Sequence, residues 1–185
     1  MIIKNGLVFQ EDGTFVQKDI YIHKGKIVSS ESETEEKSVY DAQGMKVLPG
    51  LVDIHSHGAS GHDFCDADPE GLKTILRYEK SHGITCYCPT SMTLAKERLL
   101  KIFSSVKDME TSSDMARIAG INMEGPFVDV KKKGAQAAEH ISPPDPEFFR
   151  LCNECCGNII KLVTLSPKEE GALDFVRELK DEVMI

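Results

Sequence analysis

A chain of 185 residues, 41% hydrophobic and 28% charged, is long enough to bury one substantial core and lacks the composition of a disordered segment. Its formal charge of -8 and pI near 5.3 oppose binding to nucleic acid or to an anionic membrane, since both need a basic face. No stretch approaches the ~18 consecutive apolar residues of a membrane helix, and Met1-Ile2-Ile3-Lys4 lacks the basic start and long apolar middle of a signal peptide, so the expected compartment is the cytoplasm.

Residues 1–48 read as short strands and tight turns. Met1 to Phe9 and Thr14 to His23 carry β-branched and aromatic residues, with Glu11-Asp12-Gly13 as the turn between them. His23-Lys24-Gly25-Lys26 turns the chain into Ile27 to Ser29, and the acidic run Glu31 to Lys37 reads as a solvated loop. From residue 49 the pattern becomes strand, loop, helix, repeated. Strands are predicted to start near Leu51, Ile84, Arg117, Ile159 and Val183, and helices over 69–82, 94–110, 145–156 and 168–180. Asp68-Pro69 is an N-cap followed by proline at the first helical position. Ser166-Pro167 has the same form, with Glu169 and Glu170 in the first turn. His82-Gly83 closes the first helix, and Pro143, Pro144 and Pro146 mark a loop before the third. Repeated βα units favour a parallel sheet, either open and doubly wound or closed as a barrel. No glycine-rich phosphate fingerprint follows any strand, which removes support for nucleotide binding in the open-sheet manner.

Of the six cysteines, Cys86 and Cys88 lie in a strand-like run and read as small hydrophobes. Cys152 and Cys155 form a CxxC with Cys156 beside it, but no second pair follows at zinc-site spacing, so reduced thiols are expected there.

The chemistry concentrates at PGLVDIHSHG, residues 49 to 58. Alternation along a strand points His55 and His57 to one side, about 7 Å apart, at the C-terminal end where parallel α/β proteins build their sites. Two imidazoles can then share a cation, although two satisfied surface histidines give the same pattern. Gly58, Gly61, Asp63, Asp66 and Asp68 follow in a loop able to fold over that end. Arg117 to Asn122 is predicted to run as one strand into Met123-Glu124-Gly125-Pro126, bringing Glu124 to the same rim. A carboxylate there needs either a cation or solvent.

PGLVDIHSHG, GINMEGPF, KKGAQ and KLVTLSP, in that order and behind a small β segment, resemble the N-acetylglucosamine-6-phosphate deacetylases of the amidohydrolase superfamily across nearly the whole chain. The first motif is shared across the superfamily; EGPF followed closely by KKGAQ carries the finer resemblance. It implies a small β-sandwich segment over 1–48 and, over 49–185, the first half of a metal-dependent (β/α)8 TIM barrel of the amidohydrolase type, stopping at the fifth strand. It also implies hydrolysis of N-acetyl-D-glucosamine 6-phosphate to D-glucosamine 6-phosphate and acetate in amino-sugar catabolism. Glu124 matches the family's metal-binding glutamate, and His55 with His57 the histidine pair of members that hold a second metal. One or two divalent ions, zinc or iron, are therefore expected. Ala135 and Gln136 match a loop that holds the sugar. Gln136 and Asn122 stand where relatives often carry histidine, and either amide still donates and accepts. The family's proton-transferring aspartate falls outside the chain, so the expectation is an incomplete and inactive portion, with a homodimer as the complete enzyme. Lys131 to Lys133 are expected to be a solvated loop, with contact to the substrate phosphate as the alternative.

Two rivals stand beside this reading. A dihydroorotase-like or hydantoinase-like hydrolase of cyclic amides would use a carboxylated lysine, and Lys161 is the candidate, four residues before the end of its strand. A half-barrel fragment without catalysis is the other.

Overall fold

In the computed structural model, which describes residues 1–34 and 38–185, the first alternating stretch forms strand β1 (Ile2–Phe9). It pairs antiparallel with β2 (Phe15–His23) across a turn in which Asp12 Oδ1 accepts the Thr14 backbone N–H at 3.0 Å and its hydroxyl at 2.7 Å. β2 turns through Lys24 and Gly25, both at positive φ, into antiparallel β3 (Lys26–Val28). β4 (Val39–Asp41) and β5 (Lys46–Val47) both run parallel to β1, completing one five-stranded sheet. Glu31–Glu33 forms a short 3-10 turn, and the rest of the acidic run, Glu35 to Lys37, lies outside the described residues. These elements make up one compact unit, Met1–Pro49; Gly50–Ile185 is a second.

The second unit is built from βα repeats. β6 (Leu51–Ser56) leads through the two-residue strands β7 (Gly58–Ala59) and β8 (His62–Asp63) to helix α1 (Pro69–Ser81). β9 (Ile84–Pro89) and α2 (Lys96–Ser104) follow, then β10 (Arg117–Ile118), β11 (Ile121–Glu124), α3 (Pro146–Cys155), β12 (Ile160–Thr164) and α4 (Ala172–Leu179). β6 lies parallel to β9, β9 to β10 and β11 to β12, while Thr90 and Asn122 bridge β9 to β11. Spatial order thus follows chain order with no reversal. Each helix buries one stripe at helical spacing: Leu72, Ile75 and Leu76 on α1, Leu99, Ile102 and Phe103 on α2, Phe148, Phe149 and Cys152 on α3, Phe175 and Leu179 on α4. These side chains join Tyr87, Ile121, Met123, Phe127 and Ile160 in one core.

The local signals hold at both ends of α1 and fail at the start of α4, while Asp145 caps α3 with Pro146 inside the helix and not in the loop before it. Asp68 accepts from the Glu70 N–H at 3.0 Å and Asp145 from the Phe148 N–H at 2.9 Å, each ahead of a proline in the first turn. Gly83 sits at φ +87 behind α1. α4, however, begins at Ala172 and not at 168, behind Gly171 at φ +82 with no side-chain cap. The cause is tertiary: the Ser166 N–H donates to the Phe127 carbonyl at 2.9 Å and Lys168 pairs with Asp129 at 2.6 Å, so residues 166–168 are held along the neighbouring loop. α2 is also shorter than the predicted 94–110, its last apolar residues being carried by turns over 105–108.

One strand expectation is corrected. The run from Arg117 to Glu124 is not one strand: it breaks at Ala119-Gly120, where pairing passes from β9 to β12. A Cβ on Gly120 would collide with the Lys161 side chain, which explains glycine at the crossing. Past Val183 the chain makes one parallel bridge to β12, Met184 opposite Leu162, with its N–H donating to the Lys161 carbonyl and its carbonyl accepting the Val163 N–H. All six cysteines are unpaired. Burial pushes the Cys65 thiol up to about 12 and raises those of Cys152 and Cys156, which disfavours the thiolate needed for metal or redox chemistry. Among the described residues no helix is long and apolar enough to cross a membrane.

Candidate metal centre

Glu124 comes from β11 and the two histidines from the end of β6, with β9 lying between. Strands two places apart are separated by about 10 Å, so only side chains leaning over β9 can meet. They do meet. Glu124 Oε2 is 2.9 Å from His55 Nε2 and 3.2 Å from His57 Nε2, and the ligand atoms of the three residues all lie within 4.8 Å of one another. The imidazole rings stand nearly perpendicular, at 86°, with centroids 5.5 Å apart. The His55 side chain is half exposed and Glu124 only 20% exposed, so the carboxylate is the inner member and the histidines form the mouth.

Backbone and side-chain bonds hold the geometry from behind. Asp53 Oδ1 accepts the His55 backbone N–H at 2.8 Å. His57 Nδ1 lies 3.1 Å from the carbonyl of Thr90; a carbonyl only accepts, so this bond requires the proton on Nδ1, and in the neutral ring Nε2 then presents its lone pair to Glu124. Asn122 Nδ2 donates to the Ile54 carbonyl at 2.9 Å, tying β11 directly to β6, while its buried Oδ1 has no hydrogen-bond partner. Tyr87 donates its hydroxyl to the Ser56 carbonyl at 2.9 Å, and burial raises its phenol to about 12, so it remains a donor. Gly125, at φ +77, leaves room for Thr93 directly behind Glu124.

The aspartates of the following loop are engaged elsewhere. Asp63 accepts from the Cys65 N–H, Asp66 from the Asp63 N–H, and Asp68 caps α1. Gly58 faces the His62 carbonyl in the β7–β8 hairpin, and His62 packs against Gly71 of α1. Ala135 is exposed. Gln136 is buried, its Oε1 accepting the Thr93 N–H at 2.6 Å and its carbonyl accepting Lys133 Nζ at 2.6 Å. Lys131 and Lys132 are exposed, and an open groove lined in part by Lys132, Asp129, Thr164 and Lys168 borders this rim without including any of the three converging residues. Lys161 is exposed near the start of β12, packed at Gly120, whereas the residue paired with Glu124 is Thr164 at the strand's other end. Sequence reasoning placed His55, His57 and Glu124 but missed Thr90. Its partners Ser56 and His57 lie 34 and 33 positions away, and no local pattern marks it.

No protein-family model matches the chain. In sequence it is 32% identical to the N-acetylglucosamine-6-phosphate deacetylase of Bacillus subtilis and 30% identical to that of Lysinibacillus sphaericus, in both cases over 100% of this chain and 49% of the relative. In structure it resembles N-acetyl-D-glucosamine-6-phosphate deacetylase from Mycobacterium smegmatis, with a TM-score of 0.81 at 21% identity over 100% of this chain and 48% of that one. A D267A mutant of that protein has been solved in complex with N-acetyl-D-glucosamine-6-phosphate. Along its whole length the chain is thus a relative of the N-acetylglucosamine-6-phosphate deacetylases, and it spans about half the length of the curated relatives it matches.

Proposed function

We propose that His55, His57 and Glu124 bind a divalent cation, zinc or iron, in one or two ions, and that the chain is the metal-bearing part of an amidohydrolase that removes the acetyl group of N-acetyl-D-glucosamine 6-phosphate. The observation that carries the metal reading is the approach of two imidazole nitrogens to one carboxylate oxygen, with the other ring nitrogen of His57 turned to a backbone carbonyl. In the neutral ring that leaves a lone pair facing the carboxylate, a pair of groups that favours a cation between them, and imidazole with carboxylate suits zinc or iron. The substrate class is supported by the names of the relatives and by the substrate complex of the M. smegmatis protein. Strand order without reversal, together with the likeness to half of a solved deacetylase, supports reading 49–185 as the first half of a (β/α)8 barrel, with 1–48 as a small β-sandwich segment. A homodimer is the assembly proposed for the complete enzyme, and the cytoplasm its compartment.

A divalent cation at this site would polarise an acetamide carbonyl and activate water. The chain's own residues prepare the ground. Thr90 and Asp53 hold the two histidines, and Gly125 lets Thr93 pack against the backbone next to Glu124. Gln136 is bonded to Thr93, which packs against Gly125 beside Glu124. Because the Gln136 side chain is committed to Thr93, contact with the sugar from Ala135 and Gln136 falls to the backbone around exposed Ala135. Hydrolysis also needs a carboxylic acid to protonate the leaving amine. Asp63, Asp66 and Asp68 are engaged in local turns and caps, so we propose that this chain binds metal without turning over substrate alone.

Titrating zinc into the metal-stripped chain by calorimetry tests the reading. His55→Ala and Glu124→Ala are each expected to weaken binding by more than about 100-fold, a larger loss than removal of an outer partner gives. Equal affinity in the variants would overturn the site, and acetate release by the unsupplemented chain would overturn the statement on turnover.

A further inference from the structure

β6 and β9 pair in parallel, their register shifts between Asp53 and Ser56, and Ser56 stands opposite Pro89. In a parallel pair a residue bonds the two neighbours of the one opposite, so the last rung before His57 ends on Thr90. Thr90 is fully buried. Its N–H donates to the Ser56 carbonyl at 3.0 Å, and its hydroxyl accepts the Ser56 N–H at 3.1 Å while donating to the Cys88 carbonyl at 3.2 Å. Its own carbonyl accepts from His57 Nδ1 at 3.1 Å. Every polar group of Thr90 is thus spent on the β6–β9 junction. The hydroxyl's direction is determined as well, since its single proton goes to Cys88 and leaves a lone pair for Ser56. A β-branched side chain holds that direction because its first torsion is stiff.

We propose that Thr90 is the positioning residue that holds His57 as the Nδ1–H tautomer, with the Nε2 lone pair facing Glu124, the side-chain hydroxyl clamping the backbone whose carbonyl selects the tautomer. This rests on the metal-site reading of His55, His57 and Glu124. Thr90→Val keeps the branched shape and removes the hydroxyl bridge between Ser56 and Cys88; Thr90→Ser keeps that bridge.

The test uses the full chain with nitrogen-15-labelled histidine, free of metal and well above the ordinary histidine titration range, with long-range proton–nitrogen NMR reading the tautomer and His57→Gln assigning the signals. His57 is expected as the Nδ1–H form in the wild type and in Thr90→Ser, and as a mixture in Thr90→Val. An Nε2–H form in the wild type overturns the proposal, and so does a Thr90→Val spectrum like the wild type's. If Thr90→Val does not fold, the wild-type tautomer still decides. In a parallel zinc titration Thr90→Val is expected to bind about 10- to 100-fold more weakly and Thr90→Ser close to wild type. Zinc binding indifferent to Glu124→Ala would sink the metal reading alone, because the tautomer is measured without metal.

Discussion

Glu124 is the residue on which the site turns, because both histidines address the same oxygen of its carboxylate. Glu124→Gln keeps the shape and removes the charge. We expect it to weaken zinc binding nearly as far as Glu124→Ala does, by calorimetry; retention of wild-type affinity would assign the centre to the histidines alone. A second charged pair lies further along the same rim. Lys168 Nζ, 2.6 Å from Asp129 Oδ2, holds the Asp129 carboxyl below its ordinary value of 3.8, helped by the Lys131 N–H on Oδ1. A folded value depressed in this way contributes stability that is present above 3.8 and is lost as pH falls through the lower folded value. Lys168→Met should bring the Asp129 titration back towards 3.8, read by carboxyl NMR; an unmoved midpoint would deny Lys168 its role. His55, His57 and Glu124 were legible because strand alternation and a carboxylate at a strand mouth are local facts. Thr90 was not, since its partner Ser56 is 34 positions away, and Asn122 was marked only through the family resemblance, its partner Ile54 being 68 positions away.

At the scale of elements, caps and periodicity were readable wherever the helix end is solvated and answers only to its own residues. Asp68 is such a cap, and Asp68→Ala should cost about 1 kcal/mol in urea unfolding. Ser166 has the same look in sequence, but Ser166→Ala should fall within about 0.5 kcal/mol of wild type, because α4 starts six residues later. Equal losses in the two variants would contradict the observed start of α4. The broken strand at Gly120 was hidden for a related reason. Apolar residues run through it without interruption, and only the change of partner from β9 to β12, with Lys161 against the glycine, divides it.

At the scale of the molecule, the two units differ in what they bury. Among the described residues of Met1–Pro49 the buried apolar side chains are Ile2, Val8 and Ala42, whereas Gly50–Ile185 encloses Leu76, Phe103, Ile121, Phe149 and Phe175, each almost wholly shielded. Full burial of one such side chain stabilises by about 1.5–3 kcal/mol, so the first unit has far less to hold it. Amide hydrogen exchange should therefore be slowest in β9, β11 and β12 and markedly faster in β1 and β2; equal protection would show the first unit to be stabilised by something other than its own core. Leu51, Val52 and Ile54 on β6 stay more than half exposed, so the edge of the second unit's sheet is uncovered.

The amino-acid sequence by itself singled out His55, His57 and Glu124 at strand ends, the alternation of strand and helix from residue 49, and the helix start at Asp68. Each of these depends on neighbours within a turn or two of chain. Tertiary structure alone decided that β6 and β11 converge across β9, that Thr90 and Asn122 hold them there, and that β11 and α4 begin where they do. Those outcomes depend on hydrogen-bond partners and packing volumes supplied by distant segments, which no local pattern encodes.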